Sequence, residues 1–192
     1  MSEKLNEAIF FAAKAHGSQC RKMEKIPYIL HSMEVAAIIG SMTTDEDVMM
    51  AGLLHDVIED TAFSYEEICE HFGKRVADLV ASETEDKHKE RPASETWKQR
   101  KEDSIAILRD TADENVRILW LADKLSNMRS LYRNWMKNGD AVFDAFHQKD
   151  KNEHGWYYRT IGSYVATLEK TAAYQEYVQL VNAVFGGKEV VL

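Results

Sequence analysis

The sequence predicts an all-α protein, and three observations carry that reading. Two prolines and nine glycines are few for 192 residues, and they fall mostly between periodic segments. Apolar residues recur at three- and four-residue spacing along most of the chain, the period of an amphipathic helix. No stretch alternates apolar and polar residues long enough to make a strand. The length suits one compact domain with a sizeable core, so residues 1–192 are expected to form a single domain.

Residues 3–16 place Leu5, Ile9, Ala12 and Ala13 on one helical stripe. A loop follows from Gly17 to Pro27 and carries the adjacent cations Arg21 and Lys22. Ser32 is expected to cap a helix running through Val35, Ile38 and Ile39 to Gly40. The next helix is expected from about Asp45 to Asp60. Ser64 and Glu67 fit a capping box, opening a short helix that ends near Gly73. KRVADLVASETE then reads as a helix entering the polar stretch EDKHKERPASE around Pro92, the best candidate for a mobile loop. Helical spacing returns from Trp97 to Asp110, and Asn115 to Trp135 is the most apolar helix. Residues 140–154 fit no pattern; two amphipathic helices, 155–169 and 172–185, complete the core.

Bulk properties exclude several function classes. A net charge of −8 offers no basic field for nucleic acid or an anionic membrane surface. No apolar run approaches the roughly 18 residues of a membrane span. MSEKLNEAIFFAAKAHG carries Glu3 and Glu7 and lacks an apolar core of signal-peptide length. Cys20 and Cys69 form no CxxC pair, as in a reducing compartment, so the cytoplasm is expected. An anionic small substrate then needs local help from a metal or from a few placed cations.

Three segments carry the chemistry. In AGLLHDVIEDT, helical spacing gathers His55, Asp56, Glu59 and Asp60 into a sector of roughly 140°, opposite Leu54, Val57 and Ile58. Small apolar flanks imply that this helix is deeply packed, and buried carboxylates demand a partner or a metal. In ILWLADKLSNMR, Asp123 interrupts the most hydrophobic run, with Asn127 one turn later on the same face. In PYILHS, His31 ends an apolar approach. Each alone has an ordinary reading, as solvated acidic face, satisfied core acid or packed histidine. Together, two imidazoles and two carboxylates suit Mn²⁺, Fe²⁺ or Zn²⁺ better than Ca²⁺.

His31, then His55-Asp56, then Asp123 is the ligand order of the HD superfamily of metal-dependent phosphohydrolases. Within it, LLHDVIEDT and LADKLSNMRSL resemble the two hydrolase signatures of the RelA/SpoT family, and RK followed by PYILHSMEVA resembles its opening motif. These segments lie within residues 21–131, and the resemblance covers residues 1 to about 135. It implies a single helical HD domain. Because 192 residues leave no room for the synthetase and regulatory domains of long members, it also implies the stand-alone hydrolase branch. That branch removes the 3′-diphosphate from the alarmones ppGpp or pppGpp, releasing pyrophosphate and GDP or GTP, usually with Mn²⁺.

Carried over by position, the resemblance implies His31, His55, Asp56 and Asp123 as metal ligands and Glu59 and Asp60 as the catalytic acidic pair. Arg21, Lys22, Asn127 and Ser130 match nucleotide-contacting positions, with Lys124 and Arg129 as secondary candidates. Two departures stand out. The Arg21–His31 spacing is one residue longer than in many long members, leaving open whether Arg21 or Lys22 holds phosphate. Ser126 replaces a common His, a change expected to alter substrate contacts and leave the metal alone. Trp156-Tyr157-Tyr158-Arg159 belongs to no signature and is expected to pack on the core. Two other readings share these motifs: hydrolysis of another phosphorylated nucleotide such as the 2′-phosphate of NADPH, and a non-catalytic alarmone-binding module.

Overall fold

A computed structural model describes residues 2–87 and 91–186. Every regular element among them is helical, and the only extended pairing is an isolated bridge between Cys20 and Pro27. In order, the α-helices are α1 (Glu3–His16), α2 (Ile29–Gly40), α3 (Glu46–Leu54), α4 (Val57–Asp60) and α5 (Tyr65–Phe72). They continue with α6 (Lys74–Ala81), α7 (Ala93–Asp110), α8 (Glu114–Asn138), α9 (Lys151–Tyr164) and α10 (Ala172–Phe185). None is long and apolar enough to cross a membrane.

Local chemistry sets most of these boundaries. Ser2 caps α1 by accepting from the Leu5 amide, and Ser64 and Glu67 form the predicted reciprocal capping box of α5. Gly73 closes α5 at φ 92°, a conformation that side chains disfavour, so α6 starts at once in a new direction.

The centre is α8, which buries Leu119, Leu121, Ala122, Leu125 and Met128 completely. Helices α2 and α3 pack together on one side of it and α10 on another, while α1 and α6 lean on α3. The α2–α3 contact is unusually close. A Cβ on Gly52 would stand 2.4 Å from Ile39 Cδ1 and 3.4 Å from Ala36 Cα, so only glycine allows this approach. Helices α7 and α9 pair across the remaining face of α8.

Several expected boundaries are corrected. Ser32 does not cap α2: the helix starts three residues earlier after the Pro27–Tyr28 turn, leaving Ser32 fully buried inside it. The expected 45–60 helix is two helices, α3 and α4, interrupted at His55-Asp56. His55 Nδ1 bonds the Gly52 carbonyl at 2.9 Å, the oxygen a continuing helix pairs with the Asp56 amide. Helix α6 stops at Ala81, and α7 begins at Ala93 rather than Trp97. Residues 88–90, the middle of the stretch read as a mobile loop, lie outside the described residues. The unpatterned segment holds a 3₁₀ helix, Gly139–Ala145, and the first turn of α9, which ends at Tyr164 instead of 169.

Candidate metal centre and catalytic cavity

Four side chains from three parts of the chain meet beneath the α3–α4 break. His31 comes from α2, His55 and Asp56 from the break, and Asp123 from the middle of α8. His31 Nε2 lies 3.0 Å from Asp123 Oδ1, and His55 Nε2 lies 3.4 Å from the same oxygen. His55 Nε2 is also 2.8 Å from Asp56 Oδ2, which stands 3.8 Å from His31 Nε2. Ligand-capable atoms of His31, His55 and Asp123 all fall within 4.8 Å of one another.

The protons decide what this arrangement can hold. With its Nδ1 directed at the Gly52 carbonyl, a neutral His55 must carry its hydrogen there. Its Nε2 then presents a lone pair; that buried atom has no hydrogen-bond partner among the described residues and faces two carboxylates. Lone pair against carboxylate is repulsive unless a cation sits between them, so the donor set fits a divalent metal. Without one, a proton plays that part: burial alone would lower the His55 imidazole, but Asp56 and Asp123 outweigh it and raise it well above the ordinary range. Asp56 is steadied from outside by the Tyr28 hydroxyl, which donates to Oδ2.

The other oxygen of Asp123 is occupied. Lys124 Nζ lies 2.5 Å from Oδ2 and 3.0 Å from Glu83 Oε1, so one buried ammonium bridges two buried acid side chains. Burial pushes the Glu83 carboxyl up to about 8 against the pull of Lys124, and Glu83 Oε2 has no hydrogen-bond partner among the described residues. Lys124 also borders the cavity, with its ammonium held by both acids.

A cavity of about 700 Å³ opens over this centre. Its lining sets the acids Asp56, Glu59, Asp60, Glu83, Glu85 and Asp123 among the cations Arg21, Lys22, Lys87, Arg100, Lys101 and Lys124, so positive charge stands close to the carboxylates despite the acidic net charge of the chain. Arg21 Nη2 donates to Asn127 Oδ1 at 2.9 Å, and Asn127 Nδ2 donates to Asp123 Oδ1 at 2.8 Å. Lys22 is exposed at the rim. Ser130 borders the cavity but gives its hydroxyl proton to Glu24.

The acidic pair is gathered by one cation. Lys87 contacts Asp60 Oδ1 and lies 3.4 Å from Glu59 Oε1, while the Glu85 amide donates to Glu59 Oε2 at 3.0 Å. Burial raises the Glu59 carboxyl, and the charge of Asp56 adds to it. Glu85 in turn holds Arg100 and Lys101.

Sequence reasoning missed the part of the lining that α7 supplies. On α7, Trp97, Arg100, Lys101 and Ser104 line the cavity at i, i+3, i+4 and i+7; their stripe was visible but reads as an ordinary amphipathic face. Tyr157 and Tyr158 line the cavity as well as packing on the core. Arg129 does not face the cavity; it pairs with Glu34 and Glu176. Nor does Ser126: it is buried against His31 and Glu34, with no exposure to a substrate.

Comparison with known proteins agrees with this geometry. The HD domain family model matches residues 8–148. A guanosine-3′,5′-bis(diphosphate) 3′-pyrophosphohydrolase of Aquifex aeolicus is 37% identical over 131 residues, 68% of this chain and 18% of that protein, so the chain spans under a fifth of that relative's length. The Drosophila melanogaster guanosine-3′,5′-bis(diphosphate) 3′-pyrophosphohydrolase MESH1 is 38% identical over 138 residues, 69% of this chain and 72% of that protein. A solved structure, described as a metazoan ortholog of SpoT that hydrolyzes ppGpp, superposes with a TM-score of 0.75 at 27% identity, covering 95% of this chain and 96% of its own. By family match, sequence and tertiary structure, this chain belongs to the HD-domain family, in the branch that holds the SpoT-like 3′-pyrophosphohydrolases.

Proposed function

We propose that the protein hydrolyses ppGpp and pppGpp to GDP or GTP and pyrophosphate, using a divalent metal held by His31, His55, Asp56 and Asp123. The observation that carries the reading is the inward-facing Nε2 of His55 beside two carboxylates in a cavity that also holds Arg21, Arg100 and Lys101. The HD domain implies a divalent metal, and the mixed nitrogen and oxygen donors favour Mn²⁺ over Ca²⁺. The substrate follows from the activity named for the Drosophila relative, of whose length the chain spans 72%.

When bound, the cation supplies Lewis-acid polarisation of a phosphoryl oxygen and of the attacking water. Arg21, anchored on Asn127, offsets charge on the 3′-diphosphate and orients it over Asp123. Asn127 and Ser130 border the same entry and complete the polar contacts to the nucleotide. Glu59, whose carboxyl is raised, takes a proton from the attacking water and passes it to the ribose 3′-oxygen as the bond from that oxygen to phosphorus breaks, while Asp60, paired with Lys87, orients the water. The two free cysteines favour a reducing compartment, the cytoplasm.

Incubating the protein with Mn²⁺ and ppGpp and identifying the products tests the proposal. Pyrophosphate with GDP is expected, and chelation stops the reaction. Orthophosphate from NADPH with no turnover of ppGpp would replace this reading by that of a 2′-phosphatase.

A further inference from the structure

His55 owes its proton position to the backbone, but His31 does not. His31 Nδ1 lies 2.8 Å from Ser126 Oγ, and Ser126 Oγ lies 2.7 Å from Glu34 Oε2. A hydroxyl has one hydrogen to give, and an ionised carboxylate can only accept. The Ser126 hydrogen therefore goes to Glu34, and Ser126 must accept from His31. That places the His31 hydrogen on Nδ1 and turns the Nε2 lone pair inward, 3.0 Å from Asp123 Oδ1.

Glu34 is held in place by the next link. Arg129 Nη1 donates to Glu34 Oε1 at 3.0 Å, while its Nε and Nη2 grip Glu176 of α10 at 2.7 and 2.6 Å. The inner end is sealed, with Ser126 1% and His31 4% exposed, whereas Glu34, Arg129 and Glu176 are half-buried. The chain of bonds runs from α2 through α8 to α10, so it depends on helices far apart in sequence.

We propose that Ser126 and Glu34 are positioning residues that hold His31 as an Nε2 metal ligand, with Arg129 and Glu176 bracing them from the surface. The proposal rests on the metal reading above. It also reverses the expectation that Ser126 leaves the metal alone: the serine shapes a ligand and touches no substrate. Outer partners of ligating histidines typically contribute about 10- to 100-fold to metal affinity. Ser126 and Glu34 make that contribution through side chains, so substitution can remove it.

Two measurements on the full-length protein decide the matter. Nitrogen-15 NMR of the histidines without metal reads the tautomer of His31, and competition against a chelating dye reads Mn²⁺ affinity. The parent is expected to show the Nδ1–H form. Ser126→Ala and Glu34→Ala should mix the tautomers and weaken Mn²⁺ by about 10- to 100-fold, with the metal-free unfolding midpoint nearly unchanged. Ser126→Thr, which keeps the hydroxyl, should hold the parent affinity. Glu34 lies toward the surface, so its variant carries the test even if Ser126→Ala folds poorly. A parent with the Nδ1–H form that binds no Mn²⁺ overturns the metal reading and the positioning role together. A parent that binds Mn²⁺ no more tightly than both alanine variants overturns the relay alone.

Discussion

Replacing Lys124 by methionine, which keeps its length and apolar stem, removes one charge from between two buried acids. Lys124 Nζ is 2.5 Å from Asp123 Oδ2 and 3.0 Å from Glu83 Oε1, and the acid side chains are 5% and 3% exposed. Breaking a buried pair by removing one partner typically costs 3–5 kcal/mol. Glu83 escapes part of that penalty: burial already pushes it up to about 8, so at pH 7 it takes a proton. Asp123 cannot escape so easily, because burial is outweighed by Lys124 and by His31 and His55, which keep its carboxyl well below the usual range. One uncompensated carboxylate places the loss near the lower end, about 3 kcal/mol. For a chain of this size that lowers Tm by roughly 6–12 °C. Thermal unfolding followed by circular dichroism, in excess chelator, measures it. Saturating Mn²⁺ should recover part of the loss, since a cation beside Asp123 answers the charge that Lys124 no longer does. A chelated variant melting within about 2 °C of the parent would refute the reasoning, for the ammonium would then carry no net weight.

Glu59→Gln and Asp60→Asn should keep metal content while at least one lowers kcat by about 10²–10⁴-fold; parent turnover in both, with metal bound, removes the pair from the mechanism. Arg21→Ala should raise KM by about 10- to 100-fold, whereas Lys22→Ala, exposed at the rim, should change it little; steady-state kinetics on ppGpp separate them, and the reverse order would reassign the phosphate contact. Gly52→Ala should cost about 1–3 kcal/mol in urea denaturation, because the new methyl overlaps Cδ1 of the fully buried Ile39 and crowds Ala36 Cα and Val35. Glu83→Gln should flatten the pH dependence of stability in chelator. A carboxyl raised from 4.5 to about 8 gives stability that is complete below 4.5 and lost as pH climbs through about 8, so the parent should weaken across that window and the amide variant should not.

Part of the site was legible because its residues violate their surroundings. Asp123 inside ILWLADKL and His55-Asp56 after AGLL are polar groups in apolar helix stretches, and burial makes such residues need a partner wherever the chain puts them. The capping box of Ser64 and Glu67 was readable for a related reason: it closes within four residues and needs no tertiary partner. Where one residue's role depends on distant ones, reading failed. Ser32 has the chemistry of a cap, but the Pro27–Tyr28 turn starts the helix before it. Ser126, standing where the family resemblance has a common His, is expected to affect substrate contacts, yet it turns toward α2.

The sequence by itself determined the helical class, most helix positions, and the polar residues set into apolar stretches, since periodicity, caps and buried polarity act over one or two turns. Tertiary structure decided the break at His55-Asp56, the cations that α7 brings to the cavity, the commitment of Lys124 to Glu83, and the path from His31 to Glu176. Each of these sets side chains from separate helices within hydrogen-bond or ion-pair reach. That reach is fixed by how closely the helices pack, and Gly52 lets α3 settle against α2 through an absent methyl whose consequence appears only when the two helices meet.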